Sequence, residues 1–260
     1  MKTKVWLLVF AFILFYAGPS AASLIVNDPR PISEIVTVQP IILSDDDGSN
    51  TATFFGTSEQ QSSIEGYVDT IWAQAGIDVD FLAPNYWNDT FANWGENGPP
   101  DNGGETRPTS DLKKIVNAGK DQGVTNQNSV VINMFFSQIP AGYAKLKDNY
   151  AAGLAFIGAN GISQYVGSNL LTWSGGQEVI ASVVAHEIGH NLGLNHVPDL
   201  ENLMNVTDEK NGARLNDIQI ATALDSPFSV PAPVPLPAAG WLLISGLIGL
   251  KITFRKRHSS

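Results

Sequence analysis

The sequence predicts an α/β (α+β) fold, a mixed sheet packed against helices, and three observations carry that reading. Strand-type and helix-type patterns alternate in the first third of the chain. A continuous apolar run, SVVINMFF at 129–136, has the length and composition of a strand buried on both faces. An apolar helical pattern late in the chain, from about residue 174 to 192, carries two histidines four positions apart. With 43% apolar and 15% charged residues, the 260-residue chain has the composition of one globular domain plus terminal signals, not of a disordered segment.

In chain order, residues 1–22 read as a secretory signal peptide: Lys2 and Lys4, then an apolar run from Val5 to Tyr16, then the small residues Ser20-Ala21-Ala22. An uncleaved anchor is the alternative, but the run is short for a membrane span. The globular body is expected over 23–228. Ile35 to Leu43 reads as a strand, with Pro40 marking an edge or a bend. In SDDDGSN (44–50), Asp45, Asp47 and Asn50 offer oxygen donors for Ca2+, yet the spacing fits no EF-hand loop and a solvated turn is the simpler reading. Ile64, Tyr67, Val68, Ile71, Trp72 and Ala75 recur at helical spacing, ending at Gly76, and IDVDFL (77–82) alternates as a strand. Residues 84–110, rich in Asn and Gly, read as a long surface loop whose Tyr86, Trp87 and Trp94 pack locally. Ser110 is expected to cap a short helix holding Leu112, Ile115 and Val116, closed by Gly119. After the run at 129–136, AGLAFIG (152–158) is a shorter strand. Ser174 to Gln177 fits a capping box opening the long helix, whose apolar side is Val179, Ile180, Val183, Val184, Ile188 and Leu192. Leu215 to Leu224 reads as a last helix with Ile218 and Ala221 inward.

The chemistry concentrates in HEIGHNLGLNH, residues 186–196, which holds three of the four histidines. On a helix, His186 and His190 share one face and can hold one metal ion. His196 can join them only if the chain reverses, and Gly193 stands where that reversal is needed. Three neutral imidazoles leave a tetrahedral Zn2+ one open position for water, and zinc lowers that water's pKa towards about 7. Glu187 can then act as general base and return the proton to a leaving amine. Relative to a bare HExxH, the added Gly and His at fixed offsets lower the odds of a chance match about a thousandfold.

This block resembles the metzincin signature HExxHxxGxxH of zinc metalloendopeptidases. The resemblance spans about 33–226, although only the zinc block and one methionine are specific. Met204, eight residues after His196, stands where matrixins carry the methionine beneath the metal. The resemblance implies a twisted mixed sheet of about five strands, a backing helix, an active-site helix, and a small C-terminal subdomain after the third His. Where related families carry a Tyr ligand two residues after that Met, this chain has Val206, so no fourth protein ligand is expected. The resemblance also implies an edge strand above the cleft that pairs with an extended protein or peptide substrate, here Gly153, Leu154, Ala155, Phe156 and Ile157. Its specificity pocket would be lined near 205–214.

A proline-rich linker is expected over 229–240, followed by a hydrophobic segment and a basic tail over 241–260. VPLPA, a short apolar stretch and an Arg-rich end resemble the PEP-CTERM class of bacterial sorting signals. That resemblance implies membrane attachment through this segment, processing by an exosortase-type enzyme, and the periplasm, outer surface or matrix of a Gram-negative bacterium. A plain tail anchor is the alternative, and it too keeps the body outside the cytoplasm. Six of the 15 basic residues lie in the two terminal signals, leaving nine against 25 acids, a net of −16 on the body. Such a surface repels nucleic acid and anionic membranes. The absence of cysteine excludes disulfides and a cysteine-based latency switch. The short interval after residue 22 leaves no room for a propeptide domain, and a monomer is expected. The second reading, a zinc-bearing surface or matrix adhesion protein that cleaves nothing, is opposed by the intact Glu187.

Overall fold

The computed structural model describes residues 24–95, 109–138, 152–205 and 212–233. The signal segment, Val206, most of the 205–214 stretch and the sorting tail lie outside the described residues. Seven strands and five helices are found among the described residues: β1 (Glu34–Ser44), α1 (Ser58–Ala73), β2 (Ile77–Phe81), β3 (Asn85–Asn88), α2 (Thr90–Trp94), α3 (Thr109–Asp121), β4 (Val131–Ser137), β5 (Ala152–Ala155), β6 (Ile162–Tyr165), α4 (Gly176–Asn191), α5 (Asp217–Leu224) and β7 (Ser229–Pro231). The sheet runs β2-β1-β4-β6-β5, with β3 and β7 also paired to β1. Only β5 and β7 run against the rest. The expected five strands are this main path, and the two extra pieces are short additions to β1.

Alternation along the strands divides two cores between the faces. Val36 and Val38 of β1, with Ile132, Met134 and Phe136 of β4, face the large core that α1 and α4 complete. Ile41, Leu43 and Phe135 face the other side, where Trp87, Ala92 and Ile115 cover them. Every residue of β4 is buried, as its uninterrupted apolar run predicts.

Several local expectations need correcting. β1 is interior, not an edge. Its neighbour changes from β2 to β3 beside Gln39 and Pro40, where no strand pair forms. Val38 accepts from the Leu82 N–H on that side, so the proline's missing donor falls in the gap. The stretch read as a loop from 84 contains β3 and α2; Trp87 is buried, Tyr86 is exposed, and the Trp94 indole donates to Asp45. Gly119 does not end α3. A Cβ there would stand 3.0 Å from the Phe135 ring, so this glycine allows the helix to lie close on β4, and Gly123 at φ +72° follows the last turn instead. No side-chain cap opens α4: its N-cap is Gly175 in the left-handed region, not Ser174. α5 turns the other way round from the expectation, with Ile218 79% exposed and Ile220 and Ala223 buried. Residues 229–232, read as the start of the linker, finish the sheet through β7 and the bond from Ala232 N to Ser33 O.

Candidate metal centre

α4 is buried along most of its length, and that burial fixes two of the three imidazoles on a rigid element. The helix ends in a Schellman motif: Leu194 N donates to Gly189 O and Gly193 N to His190 O, with Gly193 at φ +96°. A β-branched or bulky residue would be strained there, so glycine is what lets the chain double back and return His196.

The three Nε2 atoms converge. His196 Nε2 lies 3.2 Å from His186 Nε2 and 2.9 Å from His190 Nε2. The opposite ring nitrogens identify the tautomers. His186 Nδ1 donates to Leu203 O and His190 Nδ1 to Leu194 O, both at 2.8 Å. A carbonyl only accepts, so both Nδ1 atoms carry the proton and both Nε2 atoms turn lone pairs inwards. A single proton on His196 cannot satisfy two such neighbours at once, whereas a cation among the three satisfies all of them. Tetrahedral zinc, with Zn–N of about 2.0–2.1 Å, separates its nitrogens by about 3.3 Å, close to the spacing found. His186 and His190 are buried and His196 is exposed, so the group opens to solvent on one side. No other set of three potential ligands gathers this way among the described residues.

Met204 lies directly beneath. A Cβ on Gly189, between the two helical ligands, would come within 2.7 Å of the Met204 sulfur. The turn holding Met204 is tied down on three sides. Its carbonyl accepts from Val197 N, the Leu203 N–H donates to Arg214 O, and Asn202 exchanges amide hydrogen bonds with Gln219 of α5. The carbonyl that orients His186 therefore belongs to a braced turn, not to a free loop.

Glu187 is buried beside the ligands, and β5 passes over it. A Cβ on Gly153 would stand 2.3 Å from Glu187 Cγ, so only glycine allows the strand this approach. Of the other candidates, Leu154 and Ala155 belong to β5; Phe156 and Ile157 lie just beyond its end, and Ile157 is exposed. The acidic turn directs its carboxylates onto donors of its own chain. Asp45 accepts from the Asn50 and Asn93 amides and the Trp94 indole, and Asp47 accepts from Ser49 N. Burial raises the Asp45 pKa, but those three donors outweigh it and hold the carboxyl below its usual range. Its lone pairs are spent on N–H groups.

Residues 101–197 match the model of metallo-peptidase family M12B, reprolysin-like. The match covers less than half of the chain, but it contains all three ligands and Glu187 and ends one residue past His196. The part of the chain around the three-histidine site is therefore similar to a metallopeptidase family, and its three imidazoles are grouped so that they could hold a metal ion. The match is to the reprolysin-like model, whereas the Met204 spacing had pointed to matrixins. No curated protein matches the chain. Among solved structures, metalloproteinase-II from Bacteroides fragilis is similar at a TM-score of 0.45 and 14% identity, over 75% of this chain and 56% of that one. The chain thus spans little more than half the length of that relative. An archaemetzincin from Archaeoglobus fulgidus, complexed with malonate, gives 0.41 and 14% over 72% and 99% of the two chains. A zinc-dependent peptidase from Methanocorpusculum labreanum gives 0.45 and 11% over the same shares. These are distant likenesses.

The sequence motif names the three imidazoles that the structure brings together, but not the groups that orient them. The carbonyls of Leu194 and Leu203 leave no trace in residue identity. Asn191, buried at the end of α4, carries no signal in one sequence, because a polar residue beside a histidine is unremarkable there.

Proposed function

We propose that the protein is an exported endopeptidase that hydrolyses peptide bonds of protein or peptide substrates, with Glu187 as its general base. The observation that carries this reading is the position of Glu187: buried, next to His186 on α4, and directly under the backbone of β5 at Gly153. His186, His190 and His196 would hold zinc, which supplies Lewis acidity towards a substrate carbonyl and makes water acidic enough to attack near neutral pH. Glu187 would take a proton from the attacking water and deliver it to the leaving nitrogen.

The substrate's backbone has a natural partner. Phe156 N donates to Gly161 O, so residues in step with it, Leu154 and Ala152, turn their backbone groups towards β6. Gly153 and Ala155 turn theirs to the open edge above the metal ligands. An extended peptide added there would bond to those two residues, and its scissile carbonyl would cross the histidines. Export rests on the two terminal signals: a leader over 1–22, and a VPLPA-type tail over 241–260 that would anchor the protein until processed.

Incubation of the purified protein with casein tests the activity. Cleavage is expected, with loss on chelation and recovery on adding zinc back. Glu187→Gln should keep one zinc per chain and lose about a thousandfold in kcat. Full zinc occupancy without cleavage of any peptide would favour the silent adhesion reading instead. Intact-mass measurement of secreted material, giving an N-terminus at Ser23, tests the address.

A further inference from the structure

α4 and the β5–β6 hairpin are joined by one buried side chain that neither holds the metal nor reaches the cleft. Asn191, fully buried, follows the second ligand directly. Its Nδ2 donates to Phe156 O at 2.9 Å and to Gly161 O at 3.3 Å, and its Oδ1 accepts from Gly161 N at 3.4 Å. One amide therefore holds both ends of the turn between β5 and β6. A second tie runs parallel, from Gly158 N to His190 O at 2.8 Å. The hairpin is anchored to the final turn of the helix that bears His186 and His190, and through it the distance from the open edge of β5 to the ligands is set.

We infer that Asn191 is a positioning residue that fixes the height of the substrate-pairing edge over the zinc ligands. This rests on the peptidase reading above. Three features support the inference. The amide is used in full on the hairpin side, as both donor and acceptor, which a generic core residue would not need. The turn it holds leaves little slack: Gly161 sits at φ +132°, and a Cβ there would be 2.7 Å from Val116. And β5 is only four residues long and an outermost strand, so its own ladder with β6 is a weak restraint. A short edge strand bonded on one side drifts unless something else ties it. Buried carbonyls that lose their donor also cost free energy, which pulls the turn towards water.

Asn191→Ser tests the inference, because it removes the amide's reach with little added volume or charge. Hydrogen exchange on the zinc-loaded protein is the readout independent of activity. Amides over 152–165 should exchange at least about tenfold faster, with those of 180–188 unchanged and zinc still at one per chain. A misplacement near 1 Å costs about a hundredfold in rate. The ratio of kcat/KM for an octapeptide to that for a blocked dipeptide should therefore fall at least about tenfold. That ratio is unaffected by any loss of folded protein, since active concentration cancels. Equal acceleration of exchange in hairpin and helix, no acceleration, or an unchanged ratio would overturn the inference. If the unmodified protein cleaves neither peptide, the peptidase reading fails, and exchange alone still decides whether Asn191 holds the hairpin.

Discussion

The five-strand main path of the sheet ends in two outer strands, β2 and β5, and they are finished in different ways. β2 presents Asp78 and Asp80 outwards, with Asp69 and Glu65 of α1 nearby. Such charges discourage another strand from pairing there. β5, at the far end, is Ala-Gly-Leu-Ala: four uncharged residues that pair, among the described residues, with β6 alone. An open uncharged edge is ordinarily a liability for aggregation. Here it lies over the ligands, and its shortness limits what it can capture. Under the proposed function, the charged edge is the one where pairing would serve nothing, and the uncharged edge is the one where a peptide would lie.

The sharpest way to break this contrast is Gly153→Ala. The new methyl would meet the Glu187 side chain, which can rotate aside at little cost to the fold but would then leave the position from which we propose it acts as base. A loss of about a hundredfold in kcat is expected with a nearly unchanged melting temperature and full zinc occupancy. Equal losses in stability and activity would mean that the strand, not the base, had moved.

Proline substitution then separates the two sides of β5. Ala155→Pro removes an N–H from the open edge, so KM for an octapeptide should rise about tenfold while the melting temperature holds. Leu154→Pro removes one from the β6 ladder and should lower the melting temperature instead. Identical behaviour of the two variants would contradict the assigned register.

The acidic edge gives the smallest effects. Asp78→Thr with Asp80→Thr should leave peptide cleavage unchanged and promote concentration-dependent self-association, measurable by sedimentation. Burial, with the charges of Asp78, Glu65 and Asp80 beside it, pushes the Asp69 carboxyl up to about 6 from its ordinary 3.8. A pKa raised in the folded state means the fold binds that proton more tightly than the unfolded chain does. The associated stability is full below 3.8 and is lost as pH rises through about 6. Asp69→Asn should therefore raise the melting temperature at pH 7.5 and do so less at pH 5.

What was legible in the sequence follows from where the information resides. The three ligands, Gly193 and Met204 stand at offsets fixed by helix pitch and one reversal, so the motif alone brings them together. β4 and α1 declare themselves by apolar run and by period. β3, β6 and β7 do not. NYWN and ISQY are four residues each, and the buried Ser163 and Gln164 of β6 read as loop residues because only their neighbours make them strand. The capping box at Ser174 failed because the turn from 172 to 176 used Gly175 in a left-handed conformation instead. Helix-face assignment failed at Ile218, since an eight-residue helix with isoleucines two apart offers two candidate faces.

Three imidazoles turn Nε2 towards one point where a zinc ion would sit, two of them held in that tautomer by the carbonyls of Leu203 and Leu194. Zinc K-edge X-ray absorption on the purified protein measures this directly. The structure predicts one zinc per chain, with three nitrogen ligands at about 2.0–2.1 Å carrying the outer-shell signature of imidazole. Two or fewer imidazoles in the first shell, or no stoichiometric zinc, would contradict it.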